Sequence, residues 1–357
     1  MQRPDLSQSS SEVRDYIAWL ESENARLQAA AFAAEAGAEG DAAEALPPLE
    51  PSEPPTTRNV VVITRSGLGK RTPRHLYLRQ RRGGMGVFDV EAADDDPAAA
   101  LLITEERSDL LVLTSRGRAF RLPVYFLDEA IAVRTRPQPF MVSVPLAEGE
   151  HWAVAVPAQT QGHLAVVSQQ GFVRALPGHL FSETMRAGLA VFRPEEAGAP
   201  AAACWAPSGD SDLFLATRRG LAVRFPLKQV PTPGGPGLRL EAGDSVVAIT
   251  AVRPAALGDT GVLLVGADGR GTIRLMSGFA ANKAPGAGGK LALKTDALIG
   301  ASAVDEADDV FILSQQNKII RFKAGEIPAK EGVVQGVNCM ALRADQCLAL
   351  AVSRAAA

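Results

Sequence analysis

From residue 59 onward, apolar runs alternate with glycine-centred turns and cation-bearing runs, and the pattern returns six times. The copies are Val-Val-Ile-Thr-Arg-Ser-Gly67-Leu-Gly-Lys-Arg71, Leu-Val-Leu-Thr-Ser-Arg-Gly117-Arg-Ala-Phe-Arg121, Ala-Val-Val-Ser-Gln-Gln-Gly171-Phe-Val-Arg174, Leu-Phe-Leu-Ala-Thr-Arg-Arg-Gly220-Leu-Ala-Val-Arg224, Leu-Leu-Val-Gly-Ala-Asp-Gly269-Arg-Gly-Thr-Ile-Arg274 and Phe-Ile-Leu-Ser-Gln-Gln-Asn317-Lys-Ile-Ile-Arg321. Each reads as strand, tight turn and second strand. The turn residues are spaced by 50, 54, 49, 49 and 48. Asn317 fits among the glycines, because both residue types tolerate the left-handed backbone of a tight hairpin.

A second signal follows in most copies, a glycine turn leading into another short strand: Gly84-Met-Gly86-Val, Gly188-Leu, Gly235-Pro-Gly237-Leu, Gly289-Lys-Leu and Gly336-Val. Each repeat therefore supplies about four strands, one propeller-like blade. One blade exposes an apolar face that six in a ring would bury. The fold class expected is all-β: a six-bladed ring over residues 59–357. The Trp-Asp mark of other propellers is absent, and Trp19, Trp152 and Trp205 do not recur with the repeat.

Ahead of the ring the period changes. Ser9 and Glu12 have capping-box spacing, and Val13, Ile17, Leu20, Asn24, Leu27 and Ala31 recur in steps of four and three. This predicts a helix over 1–32, which pairs two copies through residues 13–31 as a short coiled coil or remains a single amphipathic helix. Residues 33–58, rich in Ala, Glu and Pro, read as a linker.

Composition agrees with many short strands and turns: 33 Gly, 24 Pro and 5% aromatic residues within a chain that is 46% apolar. The net charge of −3 averages two unlike parts, since residues 1–58 sum to −7 and the remainder to +4. Cys204, Cys339 and Cys347 are odd in number and lack metal-ligand spacing, so idle thiols in a reducing compartment are expected. No apolar run approaches the roughly 20 residues of a membrane span, and the start lacks a signal-peptide core. A cytoplasmic, nucleoid-associated protein without membrane contact is expected.

Between Pro54 and Phe88 there is no acidic residue, while Arg58, Arg65, Lys70, Arg71, Arg74, Arg79, Arg81 and Arg82 all fall there. Such a run attracts polyphosphate, and arginine forks grip phosphate oxygens in pairs. Gln80, Gly83, Gly84 and Gly86 join the candidate site, the glycines letting backbone amides approach a phosphate. The repeated cations Arg71, Arg121, Arg174, Arg224, Arg274 and Arg321 either mark a basic track on the rim or bridge blades through carboxylates and carbonyls. Arg116, Arg118, Arg218 and Arg219 in the hairpin turns are further candidates, as are Arg134 and Arg136. No recognition helix is evident in the body, so phosphate contact without base reading is expected. Asp94, Asp95 and Asp96 oppose binding locally, and the grip is expected to be strongest near blades one and two.

Residues 80–86, Gln-Arg-Arg-Gly-Gly-Met-Gly, closely resemble the Gln-Arg-Arg-Gly-Gly-Lys-Gly box of the DNA gyrase A C-terminal domain family. Gly-Leu-Gly-Lys-Arg-Thr-Pro before the box and the Leu111–Tyr125 segment after it agree. Met85 departs from the pattern and removes one charge. The resemblance covers 59 to about 350. It implies a β-pinwheel, a disc with altered strand connectivity, around whose basic rim duplex DNA bends. Duplex DNA and gyrase subunits are the implied partners. A module that has lost wrapping and docks on another protein is the rival reading. The family's DNA-cleaving part has no counterpart: Tyr16, Tyr77 and Tyr125 lack such a setting, no Gly-Lys-Ser/Thr loop is present, and His75, His151, His163 and His179 are scattered. A domain standing alone, not an enzyme, without cofactor or metal is therefore expected.

Overall fold

The computed structural model describes residues 53–254, 261–281 and 283–355, with Val13 and Ile17, which are helical. The chain divides into two compact units, Met1–Pro48 and Leu49–Ala357. Apart from Val13 and Ile17, the expected coiled-coil seam and residues 33–52 of the linker lie outside the described residues.

The second unit is a ring of six blades, antiparallel except where Ala329–Lys330 runs parallel to Arg270–Leu275. From the centre outward, blade one contains Ala98–Glu105, Arg58–Thr64, Leu68–Pro73 and Gln138–Pro139. Its outermost strand comes from the segment that follows blade two's hairpin. Every unit lends its outer strand backward in this way: Leu189–Ala190 edges blade two, Gly235–Pro236 blade three, and Lys290–Leu291 blade four. Blade five receives both Ala329–Lys330 and Val337–Asn338. The expected glycine-led strands are thus present, but each completes the preceding blade instead of its own. Val87–Phe88, lent by the segment after blade one's own hairpin, pairs with Lys318–Lys323 of blade six and closes the ring.

All six predicted turns have positive φ, from 60° at Asn317 to 95° at Gly67. At Gly117 a Cβ would lie 2.4 Å from the Phe192 carbonyl oxygen, so conformation and space both require glycine.

The first hairpin strands are buried almost throughout, Asp212–Thr217 along its whole length. Their side chains alternate between two cores. Val61 and Ile63 enter the core between blades one and two; Val60 and Val62 enter that between blades six and one. Six clusters of this kind fill the six interfaces. An apolar run without alternation is what a strand covered on both faces requires. At the centre all six inner strands line one cavity of about 290 Å³, with Leu101, Ala155, Ala202, Ala248, Gly300 and Ala349 among its walls.

The same two-sided cover decides the repeated arginines. Arg224 points away from Val223 and Phe225 but meets the next blade instead of solvent. Its side chain is 1% exposed, ion-pairs with Asp212 at 2.8 Å, and donates to the Met276 and Phe279 carbonyls of blade five. Arg321 repeats this across the seam, pairing with Asp309 and donating to the Arg74 and Tyr77 carbonyls of blade one. Arg121 pairs with Asp109 at 2.7 Å and reaches the Phe181 carbonyl of blade three. Arg71 donates to the Leu127 carbonyl of blade two, and Arg274 to Glu331 and Gly332 near blade six. Arg174 departs from the rule and donates to the Val191 carbonyl. The basic-track expectation is therefore corrected: these arginines staple neighbouring blades. Asp109, Asp212 and Asp309 each stand twelve positions before their arginine, on the same hairpin face.

These contacts set two expectations. Arg224→Ala leaves Asp212 and several carbonyls buried without a partner and should lower unfolding free energy by about 3–5 kcal/mol in urea titration. At the blade-two hairpin, Arg118 and Thr114 bind the fully buried Glu150 carboxylate and hold its pKa down to about 2. A depressed carboxyl pKa stabilises the fold above the unfolded value near 4.5, and that contribution disappears as pH falls toward 2. Glu150→Gln should therefore flatten the pH dependence of stability in this acid window, by on the order of 2 kcal/mol, read by melting across pH.

Candidate nucleic-acid interface

The box lies where the segment after blade one's hairpin reaches back over the ring's last two blades. Its chain enters after the short turn Arg74–Leu76 and leaves into Val87–Phe88. The Gln80 amide donates to the Arg321 carbonyl at 2.7 Å and the Gly83 amide to the Cys339 carbonyl at 2.8 Å. The Ala341 amide donates back to the Gly84 carbonyl. The Gln80 side chain folds over the turn and accepts from the Gly86 amide at 3.2 Å. Gly86 has φ +72°, and a Cβ there would lie 2.8 Å from the Ile319 carbonyl oxygen. These glycines let one backbone run tightly along another. The expectation that their amides approach a phosphate is corrected for Gly83, Gly84 and Gly86, whose amides are already bound inside the protein, that of Gly84 to the Arg81 carbonyl.

The arginines around the box divide by what they touch. Arg82 is committed internally: its backbone amide donates to Glu326 Oε2 at 2.9 Å and its Nε to the Glu326 carbonyl at 2.7 Å. Arg79 pairs with Asp309 at 2.8 Å. Arg74 forms a two-pronged pair with Glu53, and Glu53 also binds Arg321 at 2.6 Å. Burial opposes the charge on Glu53, yet the Arg321 and Arg74 guanidinium groups hold its pKa below the usual range. Arg81, half-buried, has no side-chain hydrogen bond or ion pair among the described residues. Met85, where the family box has lysine, is 53% exposed on the outer edge. A lysine there would face solvent.

Lys70 is withdrawn from the candidate set. It is 2% exposed and pairs at 2.6 Å with Asp89, which also accepts from the Tyr77 hydroxyl. Burial pushes the Lys70 amine down and the Asp89 carboxyl up, and their attraction offsets both in part. Arg71, Arg224, Arg274 and Arg321 are withdrawn for the same reason: burial denies them a phosphate. Arg121 and Arg174 are half-buried and internally bonded. In the hairpin turns, Arg65, Arg116, Arg218 and Arg219 are exposed. Arg116 donates to the Glu148 carbonyl and Arg118 is held by Glu150.

The outer edge is built from the lent segments, and most of its cations were missed by sequence reasoning. Arg134 and Arg136, 67% and 87% exposed, lie beside blade one and share Glu91 at 2.9 and 3.5 Å. Arg186 precedes the outer strand of blade two; Lys283 and Lys290 lie on blade four's segment and Lys330 on blade five's, all exposed. Blade three's segment, Pro231–Pro236, has no charged residue. These cations keep no fixed place in the repeat, but they lie between the hairpin and the inner strand of each unit, the stretch that forms the edge.

Other chemistry is sparse. Cys204, Cys339 and Cys347 are free thiols pushed up to about 12 by burial. No group of three or more metal-ligating side chains occurs among the described residues, and none of their helices is long and apolar enough to cross a membrane.

The family model of the DNA gyrase C-terminal domain, beta-propeller, matches residues 58–105, 108–125, 211–253 and 308–330. The DNA gyrase A protein of Kosmotoga olearia is 25% identical over 314 residues, covering 83% of this chain and 37% of that protein. The Escherichia coli gyrase A protein is 26% identical over 290 residues, 78% of this chain and 32% of that one. The chain thus spans about a third of the length of these relatives. Among solved structures, a DNA gyrase A C-terminal domain superposes with a TM-score of 0.70 at 20% identity, over 83% of this chain and 99% of that domain. A DNA topoisomerase IV C-terminal domain gives 0.51 at 18% identity, over 83% and 93%. The matched segments, these relatives and the shared fold make the ring of this protein similar to the C-terminal domain of DNA gyrase A.

Proposed function

We propose that the disc binds duplex DNA along its outer edge without reading sequence, bends it, and serves as a non-catalytic accessory in DNA topology control. The observation that carries this is the set of exposed cations on the lent segments, Arg134, Arg136, Arg186, Lys283, Lys290 and Lys330, joined at the seam by Arg81. They are carried by the segments that edge blades one, two, four and five, and exposed Lys228 and Arg239 flank the uncharged outer strand of blade three. Phosphate contact along such an edge favours a bent path. In this reading the box has two jobs: Arg82 and the glycines close the ring, and Arg81 faces the DNA. The names of the relatives point to gyrase subunits as partners, and the heptad seam of residues 13–31 would pair two discs. A cytoplasmic, nucleoid-associated setting suits this role.

A second reading has its own observation. Leu78, Met85, Val87 and Phe88 are 67%, 53%, 42% and 55% exposed near the box, an apolar surface suited to protein contact.

A salt titration with a random-sequence duplex of about 150 base pairs separates the two. DNA binding predicts that log affinity falls with log salt by about 0.9 per phosphate neutralised; absence of binding at low salt overturns it. Arg81→Ala should weaken binding several-fold and leave the melting temperature unchanged. Arg82→Ala should lower the melting temperature, because the Glu326 and Asn338 carbonyls lose the guanidinium that binds them across the seam. Equal effects of the two on DNA affinity, with neither affecting stability, would refute this division of roles. Light scattering before and after deletion of residues 1–32 tests pairing: a monomer in both cases excludes it.

A further inference from the structure

The loop between Asp128 and Gln138, ahead of the outer strand of blade one, carries one large aliphatic side chain that neither the core nor the staples use. Ile131 is 94% exposed. Its sequence neighbours, Ala130 and Ala132, are small, and Arg134 three positions on lies 5.9 Å from the exposed Phe88 ring. The loop beneath it is held at several points. The Ala130 amide donates to the Arg71 carbonyl at 2.8 Å, and the buried Lys70 ammonium donates to the Val133 carbonyl. The Thr135 amide donates to the Asp89 carbonyl at 3.1 Å, and the Glu91 amide donates to the Thr135 carbonyl at 2.9 Å. The buried Lys70–Asp89 pair therefore supports the loop from both of its members.

Arg134 and Arg136 follow within five positions. Their shared partner Glu91 is itself 38% exposed. Exposed pairs of this type contribute little, so both guanidinium groups can exchange Glu91 for phosphate oxygens at small cost. An aliphatic tip on a fixed support, with arginines beside it, is the arrangement that unstacks a base step from the minor groove and kinks a duplex.

We propose that Ile131 is a DNA wedge: it enters the minor groove and partly unstacks one base step while Arg134 and Arg136 engage the groove or its flanking phosphates. This rests on the reading of the outer edge as a DNA track and specifies where the bend is concentrated. The two exposed arginines beside Ile131, and the fixed support beneath it, favour nucleic acid over an apolar protein partner.

The test uses the full chain and a duplex of about 60 base pairs with dyes at its ends. It has a central, easily kinked TpA step flanked by 2-aminopurine. Wild type should shorten the end-to-end distance and raise 2-aminopurine fluorescence at saturation. Ile131→Ser should keep its affinity within about threefold and its melting temperature, yet lose most of both signals. Ile131→Leu should retain them. If wild type bends the duplex and Ile131→Ser bends it equally with the same fluorescence, the wedge is overturned while the DNA track stands. If wild type does not bind the duplex at low salt, the track and the wedge fall together.

Discussion

A strand with apolar side chains on both faces cannot be satisfied by its own sheet, and the architecture follows from that constraint. The first hairpin strand of each unit divides its side chains between two cores, as Val60 and Val62 do against Val61 and Ile63. No unit can bury both sets alone. The loan of the outer strand to the preceding blade adds a second dependence, in hydrogen bonds. Each unit needs one neighbour for packing and pairing and the other for packing, and only a closed ring supplies both to all six.

Burial on both faces also explains where the charge went. A guanidinium on the polar side of a half-exposed strand would reach water. Here that side meets another blade, so the repeated arginine ends among carbonyls of the next unit's turn. In blades two, four and six an aspartate on the same hairpin supplies the counter-charge. A buried charge is tolerated only with partners on most of its donors. The staple therefore needs the short turns of the neighbouring blade in a fixed place, which couples the blades through direction as well as through apolar area.

The ring has one join between its two chain ends, and the densest cationic stretch of the sequence lies across it. Closure there depends on two paired residues, Val87 and Phe88, reinforced by the backbone contacts of the box and by the bonds of Arg79 and Arg82 to the last blade. Glu53, which precedes the first blade, binds an arginine on each side of the join. Structural and ligand-facing roles thus alternate within a few residues. Arg81 is available where Arg82 is not, and Met85 puts a neutral side chain at a position the family fills with a cation.

The sequence by itself determined the periodic elements. Turn positions, strand period and repeat number depend on local rules: a left-handed turn residue, an apolar run of strand length and a fixed spacing. All of these are legible along the chain alone. The box is legible too, as a string of residues. What the tertiary structure alone decided was which cations meet solvent. Arg224 and Arg136 are both arginines in polar-looking positions, yet one is sealed between blades and the other is 87% exposed. The difference is that a neighbouring blade packs over the strand of Arg224 while Arg136 stands on an outer loop, and that depends on pairings between residues dozens of positions apart. Arg186, Lys283 and Lys330 were missed for the same reason: the segments that carry them become the outer edge only because each repeat lends its third strand to the blade before it.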